Sequence, residues 1–131
     1  MRLSHVTLIL GLCAAPLWAA PLSSDAFDAY TKGKTLYFSK GGEAYGAERY
    51  LPGRRVEWSF LDGNCKSGHW YALGQGICFV YEDRPDPQCW DFEATAKGLR
   101  ATFLGTGETT ELYEAEQSSE PMYCKGPEVG V

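Results

Sequence analysis

Histidine is nearly missing from this chain of 131 residues. His5 falls in an apolar N-terminal stretch, which leaves His69 alone in the remainder. A histidine-based triad would have to be assembled around that one side chain. His69 stands beside Trp70 in a strand-like run, outside any nucleophile motif. Neither G-x-S-x-G nor S-x-x-K occurs. A phosphate-binding loop and a dinucleotide fingerprint are also lacking, and Gly41-Gly42 and Gly105-Thr106-Gly107 read as isolated turn glycines. No two cysteines have C-x-x-C spacing, so zinc-ribbon and dithiol redox chemistry are not expected. Basic residues are scarce: 12 Lys and Arg against 17 Asp and Glu give a formal charge of −5. That balance argues against nucleic acid or an anionic membrane as a partner, since both select basic patches.

Long apolar runs are missing too. The longest, Val6–Leu12 with Cys13-Ala14-Ala15, falls short of the roughly 20 residues of a spanning helix. It follows Arg2 and precedes Pro16 and the small residues Ala19-Ala20. This order predicts a cleavable export signal over residues 1–19 and a single domain over 20–131. A lipidated Cys13 is disfavoured, because Leu12 stands where that processing takes a small residue. Loss of Arg2 would make the mature chain one unit more acidic. Its compartment is then periplasmic or secreted.

Cys13 would leave with the signal. Cys65, Cys78, Cys89 and Cys124 remain, an even number in an exported chain, which predicts two disulfides. Four cysteines allow three pairings. Cys78 and Cys89 flank one short loop and should lie on hairpin neighbours, so the favoured set is Cys78–Cys89 with Cys65–Cys124. No metal site and no cofactor are expected.

Ser23 and Ser24, early acids, Phe27 and Tyr30 three apart, and Gly33 as a stop predict one short helix that could close an end of the domain. After Gly33 the pattern alternates. Thr35–Ser39, Ala44–Leu51, Arg55–Phe60, Lys66–Ala72, Ile77–Tyr81, Cys89–Ala94, Leu99–Leu104 and Thr109–Glu116 read as strands separated by turns. In Arg55–Phe60, Val56, Trp58 and Phe60 share one face. Asp83–Pro87, with two prolines, reads as a loop that cannot be strand. The class is therefore all-β: an antiparallel meander of seven to eight strands, closed as a small barrel or curled into a sandwich.

Carboxylates are plentiful at Glu82, Asp83, Asp86, Asp91, Glu93, Glu108, Glu111, Glu114, Glu116 and Glu120. A small hydrolase would need two of them across a cleft, but alternate positions on strands read first as a solvated face. Glu82–Asp86 lacks the D-x-D-x-D-G spacing of a calcium loop. No catalytic residue is assigned. Aromatic residues are the distinctive feature. Trp58, Trp70, Tyr71, Tyr81 and Trp90 are the candidates for lining a ligand pocket, and core packing accounts for most of the others.

The segments Gly33-Lys-Thr-Leu-Tyr37, Val56-Glu-Trp58, Gly68-His-Trp70, Cys78-Phe-Val-Tyr81 and Cys89-Trp90 carry a resemblance. Over about Gly33–Phe103 the chain resembles a group of small exported Gram-negative bacterial β-domains with a G-x-W…C-x-x-[YW]…C-[WF] pattern. The G-x-W pieces also look distantly lipocalin-like. The resemblance implies a periplasmic β-meander and brings no assigned chemistry.

The expected function is thus a non-enzymatic binding or interaction module. One version holds a small apolar or amphipathic ligand in a barrel mouth. The other docks on an envelope protein, as small disulfide-bonded inhibitors of basic hydrolases do, and the acidic balance favours it through steering. The alternative is a small hydrolase using paired carboxylates.

Overall fold

A serine cap starts the first element. In the computed structural model, which describes residues 20–107 and 109–126, helix α1 spans Ser24–Thr31. The Ser23 hydroxyl accepts from the Ala26 N–H at 3.2 Å, satisfying one of the donors that a helix start leaves unpaired. Gly33, at φ 76°, turns the chain out of the helix. Phe27 and Thr31, one turn apart, are its buried residues. The expected signal segment, residues 1–19, lies outside the described residues.

Eight strands follow: β1 Thr35–Lys40, β2 Glu43–Leu51, β3 Arg55–Ser59, β4 Cys65–Leu73, β5 Gly76–Tyr81, β6 Arg84–Thr95, β7 Gly98–Phe103 and β8 Glu111–Ser118. Each pairs antiparallel with the next, and β8 pairs back onto β1, so the sheet is a closed barrel. Closure decides between the barrel and the sandwich that the alternating pattern allowed. It also removes the unpaired edges that an open sheet of this size would expose.

One expectation is corrected. Asp83–Pro87 is not all loop, because β6 already begins at Arg84 and includes Pro85, Asp86 and Pro87. The pairing shows how the prolines are tolerated. Tyr81 opposes Arg84, and Phe79 opposes Gln88, so three residues of β6 stand against Val80 alone. Within this bulge the prolines need donate no ladder hydrogen bond, and both are exposed.

The interior is filled at the helix end. Phe27 is 0% exposed and packs on Trp70, Tyr50 and Phe92 at centroid distances of 5.2, 5.6 and 4.5 Å. Leu36, Val56, Ile77 and Leu99 complete this core. Burying one phenylalanine there contributes roughly 1.5–3 kcal/mol. Arg54, in the turn between β2 and β3, lays its guanidinium 4.4 Å from the Trp70 ring. Helix α1 thus plugs the end that carries the β2–β3, β4–β5 and β6–β7 turns.

Both disulfides form in the favoured pairing, Cys65–Cys124 and Cys78–Cys89. The second cross-links directly opposed residues of β5 and β6. The first ties down the segment after β8. Thr35 Oγ1 donates to the Glu120 carbonyl at 2.8 Å, and the Lys125 N–H donates to the Gly63 carbonyl at 2.7 Å. Residues 119–125 therefore strap the outside of the barrel from the start of β1 to the start of β4. Beneath this path the small residues Ala47 and Ser59 are buried, as is Met122 of the strap. Among the described residues no helix is long and apolar enough to cross a membrane.

Candidate binding cavity

The end opposite α1 is open. There the interior holds a cavity of about 140 Å³. Tyr50, Phe79 and Phe92 form its floor, with Phe27 packed beneath them. Phe38, Trp58, Tyr81, Trp90, Ala101 and Leu112 make the walls. Tyr45, Phe60, Lys66, Arg84 and Gln88 surround the mouth.

Two glycines create the room for this lining. A Cβ at Gly46 would collide with the Trp58 ring and lie 2.8 Å from the Ser59 carbonyl oxygen. A Cβ at Gly68 would meet the Val80 carbonyl oxygen and lie 2.9 Å from the Tyr81 ring. Glycine at these two points lets each aromatic ring lie flat on a neighbouring strand. Trp58 then clusters with Tyr45 and Phe60 at centroid distances of 6.0 and 5.4 Å. Tyr81 stacks on Phe79 at 6.3 Å and 7°.

Among the described residues Glu48 is the one carboxylate in this lining. It projects inward from β2, is 2% exposed, and counts among the largest fully buried side chains. Its Oε1 accepts from the Tyr81 hydroxyl at 2.8 Å. Its Oε2 is buried, and no hydrogen bond reaches it from the described residues. Burial pushes the Glu48 carboxyl up to about 8, against the smaller opposing effect of the Tyr81 hydroxyl. Burial, reinforced by the negative charge that Glu48 can carry, also raises the Tyr81 phenol well above its ordinary range. Near neutrality Glu48 is therefore mostly a neutral acid that can donate, and a compensating cation would favour its anion.

Lys66 and Arg84 are the cations at the mouth. Lys66 Nζ pairs with Asp83 at 2.6 Å and lies 5.5 Å from the Phe60 ring. That lysine holds the Asp83 carboxyl below its ordinary value, chiefly through their hydrogen bond. Arg84 is exposed.

No family model, curated protein or solved structure matches the chain.

Of the five aromatic candidates, Trp58, Tyr81 and Trp90 line the cavity. Trp70 lies in the core at the plugged end. Tyr71 is on the opposite strand face, paired with Cys78. His69 is exposed on β4. Glu48 was missed by the sequence reading, as were Tyr45, Tyr50 and Phe60. The available signal was Glu48 two positions before Tyr50 on one strand face. A second cluster, Glu57 with Cys65 and Cys124, brings three metal-type donors within 4.8 Å. The two sulfurs are bonded to each other, so they supply no thiolate to a metal.

Proposed function

We propose that this protein is a non-enzymatic binding module acting outside the cytoplasm, which holds a small amphipathic ligand in the open end of its barrel. The observation that carries this reading is the aromatic cavity itself: one end of the barrel is plugged by Phe27, and the other is left hollow. Size narrows the class. An apolar protein cavity of about 150 Å³ holds a benzene-sized molecule, so about 140 Å³ suits roughly six to ten non-hydrogen atoms and excludes a full acyl chain inside the barrel.

Two features support binding over hydrolysis. Among the described residues the lining contains a single acid, Glu48, whereas glycoside hydrolysis uses a facing pair. The walls are otherwise aromatic and aliphatic, with few polar groups, as ligand sites are. The disulfides and the export-type N-terminal sequence support an oxidising compartment.

Tryptophan indole N–H signals test the cavity in the ¹⁵N-labelled protein. Small aromatic amines, alcohols and acids should shift the Trp58 and Trp90 signals and leave Trp70 unmoved. If all three signals stay in place up to the solubility limit of such a panel, the binding reading is lost. For export, N-terminal sequencing of protein recovered from the cell envelope should begin at Ala20. Recovery of intact chain starting at Met1 in the cytoplasm overturns that part.

A further inference from the structure

Within the binding reading above, we infer that the cavity selects a small organic cation, a protonated aromatic or cyclic amine, whose ammonium pairs with Glu48. The polar groups of the cavity are out of balance. Glu48 is almost fully buried, yet among the described residues only one of its two oxygens has a donor. A buried carboxylate is stable only when its oxygens are hydrogen-bonded and its charge is compensated. Tyr81 donates to Oε1, whereas Oε2, on a side chain that lines the cavity, has no partner among the described residues. Once Glu48 is ionised, the partner missing at Oε2 is a donor, and a cationic donor compensates the charge as well.

The surroundings fit that chemistry. Aromatic faces attract cations through their quadrupoles, and Trp58, Tyr45, Tyr81 and Phe79 supply such faces around the acid. Other titratable groups face Glu48 from the packed strands. Tyr50 on β2 and Tyr81 on β5 are both held protonated, with phenols raised well above their ordinary range, chiefly by burial. Glu114 on β8 acts on Tyr50 in the same sense; its carboxylate accepts from the Tyr30 hydroxyl and the Leu99 N–H. Lys66 and Arg84 are the cations of the lining. Lys66 is neutralised by Asp83, and Arg84 stands in solvent at the mouth, where screening is strong. Neither is hydrogen-bonded to Glu48, so the acid is left for a ligand.

Binding of an ammonium then requires Glu48 to give up its proton. With the carboxyl at about 8, ionising it at pH 7 weakens affinity about tenfold, and complexation releases nearly one proton per ligand.

Benzylamine, benzyl alcohol and benzoate have similar size and different charge, and they form the test. Benzylamine should bind best. Its affinity should rise about tenfold per pH unit up to pH 8, then level off until the amine itself loses its proton. Calorimetry in buffers of different ionisation heat should show proton release at pH 7. Glu48→Gln keeps the shape of the neutral acid, and in it both the preference and the pH slope should vanish. Proton release by the unaltered protein gives the same answer should the variant not fold. Equal binding of benzyl alcohol with no pH slope overturns the cation assignment and leaves the binding reading intact. Tighter binding of benzoate does the same and points to Lys66 and Arg84. If none of the three shifts the Trp58 or Trp90 signal, the assignment and the binding reading fall together.

Discussion

Replacing Glu48 by glutamine should make the protein more stable, and the gain should grow with pH. In an unfolded chain the carboxyl titrates near its ordinary value of 4.5; in the barrel it titrates near 8. Below pH 4.5 both states hold the proton, and Glu48 is no liability. Between the two values the unfolded state loses the proton while the folded state keeps it, so stability falls as pH rises. The slope is about 1.36 kcal/mol per pH unit. At pH 7 the loss is roughly 3 kcal/mol, and it levels off above pH 8 at roughly 4–5 kcal/mol. Glutamine does not ionise, keeps an oxygen for the Tyr81 hydroxyl, and resembles the protonated acid. The two proteins should be similar in urea stability near pH 5, and the variant should lead by about 3 kcal/mol at pH 7. With a typical urea dependence this is a midpoint shift of roughly 1–3 M. Groups common to both proteins cancel in the difference. Asp62 and Asp83, whose carboxyls are lowered by hydrogen bonds from Asn64 and Lys66, act with opposite sign and only at more acid pH. A stability difference that stays flat from pH 5 to pH 9 would refute the claim that Glu48 is a desolvated acid.

Truncating the plug, Phe27→Ala, should cost about 3–5 kcal/mol in urea unfolding, as large core truncations do. A cost below about 1 kcal/mol would mean that α1 does not hold the barrel end. In Gly46→Ala the added methyl must displace the Trp58 ring. We expect a loss of about 1–3 kcal/mol and a moved Trp58 indole signal, while an unshifted signal would contradict the close approach of the two strands.

Much of the fold was legible because the strands alternate. Val56 and Trp58 share the inner face, as their spacing predicts, and Phe27 and Tyr30 mark the buried side of α1. The proline-rich segment misled for a local reason. Proline excludes a ladder donor, and only the three-against-one bulge at Val80 shows that none is needed there. The site was less legible. Glu48 sits among Gly46, Ala47 and Arg49 in a weakly patterned strand, where an acid reads as solvent-facing. Register shifts in β1, at Phe38/Ser39 against β2 and at Tyr37/Phe38 against β8, also disturb the parity that would carry a face assignment across the seam. Only ring closure puts Glu48 inside, and closure depends on contacts distant in sequence. Trp70 and Tyr71 show the same limit: adjacent residues of one strand must point to opposite faces, so both could never line one cavity.

The seam between β1 and β8 also bears on how the chain folds. Thr35 meets Ser118 across it, so the ring cannot shut until nearly the whole polypeptide is present. The seven hairpins can zip locally and quickly, but the last join must gather distant partners, which places such topologies in the millisecond-to-second range. A chain cut before Glu111 would keep two raw sheet margins and an unsealed interior. For this molecule a late truncation is therefore expected to yield a sticky, aggregation-prone open sheet of seven strands rather than a smaller working container.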